Sequence, residues 1–277
     1  MPIRITEAPL EPGEWVAEDF AKDTIFLHHT AGGHSPGNTI AGWNRDRGGS
    51  GNRVRIATSY TVGGKSTRDG STNDDGKVLR AFPDLNWAFH LGVRGAPVNL
   101  NSKSIGIEIC NYGWLTRTPD GRFLTYVNSE VPADQAIELE RPFRAKRFYH
   151  RYTDRQLDSV SELLRDLADR HGIDLKAGLQ EWLGKEGLAM PGDLGTLEQQ
   201  VWLNANGFVG VDARPLAEDG RDGKNTDFAR LAVGRSCFEF NPLAFNGTPG
   251  LWTHTSVRHD KSDCSPQPQL LELIRGL

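Results

Sequence analysis

The segment Thr24-Ile-Phe-Leu-His-His-Thr30 decides how the rest of the chain is read. Ile25, Phe26 and Leu27 form a short apolar run of the kind that predicts a buried β-strand. The run ends in two adjacent histidines, and strand ends are where a rigid scaffold presents functional side chains. Side chains alternate across a strand, so only one of His28 and His29 faces a given cleft. An isolated pair is not diagnostic, because histidines also pack in cores and on surfaces. Histidine is, however, a common metal ligand, so the pair sends the search to the rest of the chain for partners.

At 277 residues the chain is long enough for one large domain or two small ones. A net charge of -4, with no basic run to offset it, argues against nucleic acid as the main partner, since phosphate binding needs a basic footprint. Cys110, Cys237 and Cys264 are too few and too scattered for a disulfide framework; core thiols, one bridge with a free thiol, or one metal ligand remain open. The start, MPIRITEAPLEPGEW, has no basic stretch followed by an apolar one, so no secretory signal is expected. Nowhere do about 18 apolar residues run together, so no membrane-spanning helix is expected.

Residues 1–22 read as an arm. After Thr30 a turn-rich loop leads to a helix over 39–45, with Ser35 or Asn38 as its cap. Strands are expected at 57–65 and 78–82, joined as a hairpin. The segment Ser104-Ile-Gly-Ile-Glu-Ile-Cys110 is the strongest strand signal, and Glu108 inside it is costly unless paired or used in a site. Residues 114–150 read as irregular, a flap or a surface ornament. A clear amphipathic helix spans 154–171, with Leu157, Val160, Leu163, Leu164 and Leu167 on one face. Thr153 is its cap and Gly172 its stop, and His171 is a partner for the C-terminal dipole. Weaker signals place helices at 174–183, 196–206 and 226–233, and a last helix at 268–275. With no internal repeat and no clean linker, 173–249 reads as an insertion.

The segment from His254 to Cys264 is dense in metal-ligating residues. One histidine from the end of the first strand, His254 from the last core strand, and an Asp or Cys nine or ten residues later make three ligands. Three protein ligands and an open position are the arrangement of a catalytic zinc site. Such a zinc acidifies water and polarises a carbonyl. A carboxylate to take the proton and a cation to steady the oxyanion complete the chemistry, and Glu108 and Lys261 are the candidates.

Several stretches, in this order, carry a resemblance: Ile-Phe-Leu-His28-His-Thr-Ala-Gly, Tyr60 before an Arg-Asp-Gly turn, Trp-Ala-Phe-His90-Leu-Gly, Ser-Ile-Gly-Ile-Glu108-Ile, and His254 followed by Lys261-Ser-Asp263. Together they resemble the zinc-dependent N-acetylmuramoyl-L-alanine amidases, which share a fold with phage endolysins of the type-2 amidase family and with peptidoglycan recognition proteins. The likeness covers about 22–112, the helix at 153–171 and 250–277; 113–150 and 173–249 are family-atypical insertions. It implies an α/β fold, a central mixed β-sheet with helices on both faces, in a single catalytic domain.

The resemblance further implies zinc held by His28, His254 and Asp263, while His29 falls where members vary; strand alternation turns it the other way. Cys264, directly after Asp263, departs from the pattern and is a softer ligand. Glu108 would activate water, Lys261 would support the tetrahedral intermediate, Tyr60 would assist near the zinc, and His90 would lie in the substrate groove. The implied substrate is peptidoglycan, cut at the amide between N-acetylmuramic acid and L-alanine. The rival is a binding module on the same fold that has lost zinc and kept ligand affinity; the complete ligand set favours the enzyme. Delivery, stem-peptide preference and assembly state are not legible in the sequence.

Overall fold

A computed structural model describes residues 3–185, 201, 203, 205 and 237–277. Along the chain run β1 (Ile5–Glu7), β2 (Thr24–His29), α1 (Pro36–Arg45), β3 (Tyr60–Val62), β4 (Val78–Arg80), α2 (Leu100–Lys103) and β5 (Ser104–Ile109). Then come β6 (Trp114–Arg117), β7 (Phe123–Leu124), β8 (Glu130–Val131), β9 (Ala136–Phe143), β10 (Lys146–His150), α3 (Asp154–His171) and α4 (Leu179–Leu183). After the undescribed stretch follow α5 (Pro242–Phe245), β11 (Gly250–Thr253) and α6 (Pro268–Arg275). The helix expected at 226–233 and most of the one at 196–206 lie outside the described residues.

The main sheet has the order β1-β4-β3-β5-β2-β11. The apolar run of β2 sits inside it, parallel to β5 on one side and β11 on the other, and β3 is parallel to β5. The expected hairpin forms, with β3 antiparallel to β4. The sheet is therefore mixed, as the sequence implies.

Register assigns the two faces, because residues directly opposite one another point the same way. Ile25, Leu27 and His29 pair with Ile105, Ile107 and Ile109; Tyr60 and Val62 continue that face on β3. The leucine face of α3 is buried in the same core. Leucine burial of this kind contributes about 1.5–3 kcal/mol per side chain. The helix begins in a capping box: the Thr153 hydroxyl accepts from the Gln156 amide at 3.0 Å, and the Thr153 amide donates to the Gln156 side chain at 3.4 Å. It ends at Gly172, whose φ of 69° is the left-handed conformation that favours glycine. On the opposite face lie Phe26 and His28, Gly106 and Glu108, Thr61 and Leu79, and Ile40 of α1 joins Leu79 in a second small core.

Residues 113–150 are not irregular. They form a second, antiparallel sheet with the order β8-β7-β6-β10-β9, and Leu139, Phe143 and Tyr149 are buried in the main core. The Tyr149 hydroxyl donates to the Phe143 carbonyl at 2.6 Å across the hairpin. Its signal is hidden because the β9–β10 turn is made by Arg144 and Ala145, at φ of 49° and 59°. Two-residue hairpin turns with both φ values positive usually carry Asn-Gly or Gly, the cue a sequence reading relies on. All three cysteines are buried, and none is in a disulfide. Among the described residues no helix is long and apolar enough to cross a membrane.

Candidate active site

The carboxyl ends of the parallel strands gather the polar residues, as open α/β sheets commonly do. His28 is the fifth residue of β2, and Glu108 sits opposite it on β5, pointing to the same side of the sheet. His254 follows β11 directly, opening a 3-10 turn, His254–Ser256, and Asp263 lies on the loop beyond. Strand order thus brings together residues 226 positions apart in sequence.

Their contacts fix the tautomers. Ser104 donates its hydroxyl to the Leu100 carbonyl at 2.6 Å, so its oxygen accepts from His90 Nε2 at 2.9 Å. His90 Nδ1 is then an acceptor and takes the proton of His28 Nε2 at 3.0 Å. That leaves His28 Nδ1 with a bare lone pair. His254 Nε2 donates to the Leu91 carbonyl at 2.8 Å, which leaves its Nδ1 bare as well. The two Nδ1 atoms stand 3.1 Å apart, and Asp263 Oδ2 lies 2.9 Å from one and 3.4 Å from the other. Three acceptors with no proton between them meet at one point, an arrangement that is repulsive unless a cation fills it. The three ligand atoms lie within 4.8 Å of one another, close enough to hold one metal ion.

Burial and charge agree with this. Burial, with His254 second, lowers His28 to about 4, so its imidazole is neutral at pH 7. His90 is driven well below its ordinary value by burial and then by His28. For Asp263 burial opposes ionisation, but His254 and His28 outweigh it and hold the carboxylate below its usual range. Glu108 is shifted the other way, well above the usual range, by burial and the Asp263 charge, with Lys261 opposing. Lys261 is half-buried, acts electrostatically on both Glu108 and His28, and forms no hydrogen bond or ion pair.

The predicted residues divide clearly. His28, His254 and Asp263 converge, with Glu108 and Lys261 beside them. Cys264 is fully buried in the core, its thiol pushed up by burial and by Asp263, and it lies against the Tyr152 hydroxyl. His29 points to the other face, where its Nδ1 meets the same hydroxyl at 3.2 Å. Tyr60 does not reach the cluster. It is on the α3 side of the sheet, donating its hydroxyl to Asp84 and accepting from Arg170 Nη2 at 3.2 Å. His90 is not in an open groove; it stands behind His28 and orients it. The space for its ring comes from Gly106, where a Cβ would lie 2.9 Å from His90 Nδ1. Such outer partners fix ligand orientation and basicity. Ser104 and the Leu91 carbonyl were invisible to motif reading, although Gly106 within a β-branched strand hints at close approach from above.

The profile of the N-acetylmuramoyl-L-alanine amidase family, Amidase_2, matches residues 20–187. Among curated protein sequences none matches the chain. Similar solved structures include PlyL, at 16% identity over 63% of this chain and 78% of that one, with a TM-score of 0.38. The N-acetylmuramyl-L-alanine amidase AmiD from E. coli is 19% identical over 78% of this chain and 70% of its own, with a TM-score of 0.36. AMPDH3 from Pseudomonas aeruginosa is 16% identical over 81% and 80%, with a TM-score of 0.36. The profile match runs over more than half of the chain and takes in His28, His90 and Glu108. The chain belongs to the N-acetylmuramoyl-L-alanine amidase family.

Proposed function

We propose that the protein is a zinc-dependent hydrolase of the amide between the lactyl group of N-acetylmuramic acid and L-alanine in peptidoglycan. The observation that carries this reading is the convergence of three bare lone pairs, His28 Nδ1, His254 Nδ1 and Asp263 Oδ2. Zinc takes such donors at about 2.0–2.2 Å in tetrahedral array, which separates them by about 3.3 Å. The separations of 2.9, 3.1 and 3.4 Å fit that requirement.

When bound, zinc supplies an electrophile for the amide carbonyl and makes water acidic enough to attack near neutral pH. The protein's own groups do the rest. Glu108, one strand over from His28, takes the proton from the attacking water and passes it to the leaving nitrogen of L-alanine. Lys261 stands near Glu108 and His28, where its ammonium offsets the negative charge that develops on the carbonyl oxygen. His90 and the Leu91 carbonyl hold the two imidazoles in place. A binding module would need none of the Glu108 and Lys261 arrangement.

Purified protein should carry about one zinc per chain and release L-alanine amino termini from muropeptides. Glu108→Gln should keep the zinc and lose about 10²–10⁴-fold in turnover. Undiminished cleavage by zinc-free protein would sink the mechanism, and unaltered turnover in Glu108→Gln would remove that residue from it.

A further inference from the structure

Four of the seven exposed large hydrophobic side chains among the described residues gather on one surface: Phe20, Ile56, Leu85 and Phe89, between 40 and 52% exposed. The N-terminal arm builds it. Val16 and Trp87 exchange backbone hydrogen bonds at 2.7 and 3.3 Å, and the Phe20 amide donates to the Leu85 carbonyl at 2.9 Å. Three rings follow in series. Phe20 meets Trp87 edge-on with centroids 6.4 Å apart, and Trp87 meets Phe89 at 5.2 Å. Beyond Phe89 the row reaches Arg55, whose carbonyl accepts from the Phe89 amide at 2.8 Å, and Ile56 follows. A contiguous apolar patch left open to water marks an interaction site.

The two ends of this row differ in charge. Arg55 holds a φ of 55°, a left-handed conformation that costs a residue other than glycine free energy, so its place is set by its neighbours. Its Nε donates to the Gly13 carbonyl at 3.1 Å, and its terminal nitrogens have no partner. The arginines next to it are occupied, Arg47 by Glu14 and Arg53 by Glu11 and Glu14. With Phe89 the three arginines line a groove of about 700 Å³. Towards the other end, between Val16 and Phe20, Glu18 is exposed and forms no hydrogen bond or ion pair. Asp19 beside it is taken by Asn86 at 2.7 Å.

We propose that this surface is the contact between two copies of the chain related by a twofold axis. The twofold turns the row end for end, so Glu18 of each copy meets the partner's Arg55, and Phe20 enters the groove beside the partner's Phe89. Such self-complementarity is what an isologous contact requires, and aromatic rings and arginine are the side chains enriched at interface centres. A membrane surface or another polyanion fits less well, because Glu18 and Asp19 share the face with Arg55. Phe20 precedes β2, at the amino ends of the parallel strands, while His28 is at the carboxyl end. Docking centred on Phe20 leaves the metal ligands open, and the dimer does not depend on the amidase reading.

Sedimentation velocity on the full chain should show a reversible monomer–dimer equilibrium. Arg55→Glu and Glu18→Arg should each raise the dimer dissociation constant about tenfold or more, since each sets like charges opposite one another at both ends of the contact. The double variant exchanges the two signs and should restore the dimer, which also shows that neither change harms the fold. Phe20→Ser, at an exposed position, should dissociate it. A chain that stays monomeric up to about 0.1 mM overturns the proposal. So does a dimer that Phe20→Ser leaves intact, or a double variant that associates no more tightly than the single ones.

Discussion

The face of β2 and β5 that carries His28 and Glu108 differs from the face behind it in what it buries. Behind, Ile25, Leu27, Ile105, Ile107 and Ile109 pack against the leucines of α3, and the polar groups that occur are paired. His29 meets Tyr152 there, and Tyr60 meets Asp84 and Arg170. In front, the ligand atoms face one another, and Glu108 and Lys261 have no hydrogen-bond partner. Burying acceptors without donors is costly, so the front face gives up stability for an arrangement that could hold a cation, and the back face supplies that stability. Two neighbouring histidines fall on opposite sides of this division.

The most severe way to probe the division is His28→Ala. Zinc content should fall well below one per chain and activity by about 10³-fold or more, while His29→Ala should keep the metal. Loss of metal in both variants would break the distinction between the faces. The next effect is on stability. His150 is buried near His29, and burial, with His29 second, lowers it to about 4. The Tyr112 amide donates to its Nδ1 at 3.2 Å, which requires the neutral ring. The unfolded chain takes up this proton near pH 6.5, so His150's contribution is full above that value and is lost as pH falls toward 4, by about 3 kcal/mol. Chemical denaturation at pH 7 and 4.5 should show a decline to which His28, shifted to about 4 as well, also contributes, and His150→Gln should make it shallower without removing it; an equal slope in the variant contradicts the account.

A smaller change separates ligand from support. His90→Ala should weaken zinc binding about 10–100-fold in a chelator competition without abolishing it. Full retention of affinity would mean that His28 needs no orienting partner. The smallest effect is reserved for Tyr60→Phe, which should cost about 1 kcal/mol in unfolding free energy and leave kcat unchanged. A large fall in kcat would return Tyr60 to the site.

Local signals carried the reading furthest. The apolar run of β2, the β-branched pattern of β5, and the Thr153 and Gly172 ends of α3 are written in adjacent residues, and the structure has each of them in place. The grouping of His28 with His254 and Asp263 was expected from the family resemblance; the residues alone left open which histidine of the pair and which of Asp263 and Cys264 would join it. What could not be read were features fixed by register and by missing atoms. Tyr60 and Thr61 are equally plausible near a site until the pairing Thr61 with Glu108 shows which of the two faces it. His90 reads as a groove residue until Gly106 is seen to leave room for it behind His28. The second sheet escaped because its tightest turn uses Arg144 and Ala145 in a conformation usually given to glycine or asparagine.

The pairing of His28 with Glu108 also ties the site to the register of β2. If β2 slipped by one residue, His29 would occupy the cleft and His28 would be driven under α3, exchanging the two faces of the strand at a stroke. A slip of two residues would restore the faces but displace the imidazole by about 6.6 Å along the strand, out of reach of Asp263. Neither error leaves a partly working enzyme. In any preparation, specific activity should therefore count the correctly registered molecules, and misfolded ones should add mass but no turnover.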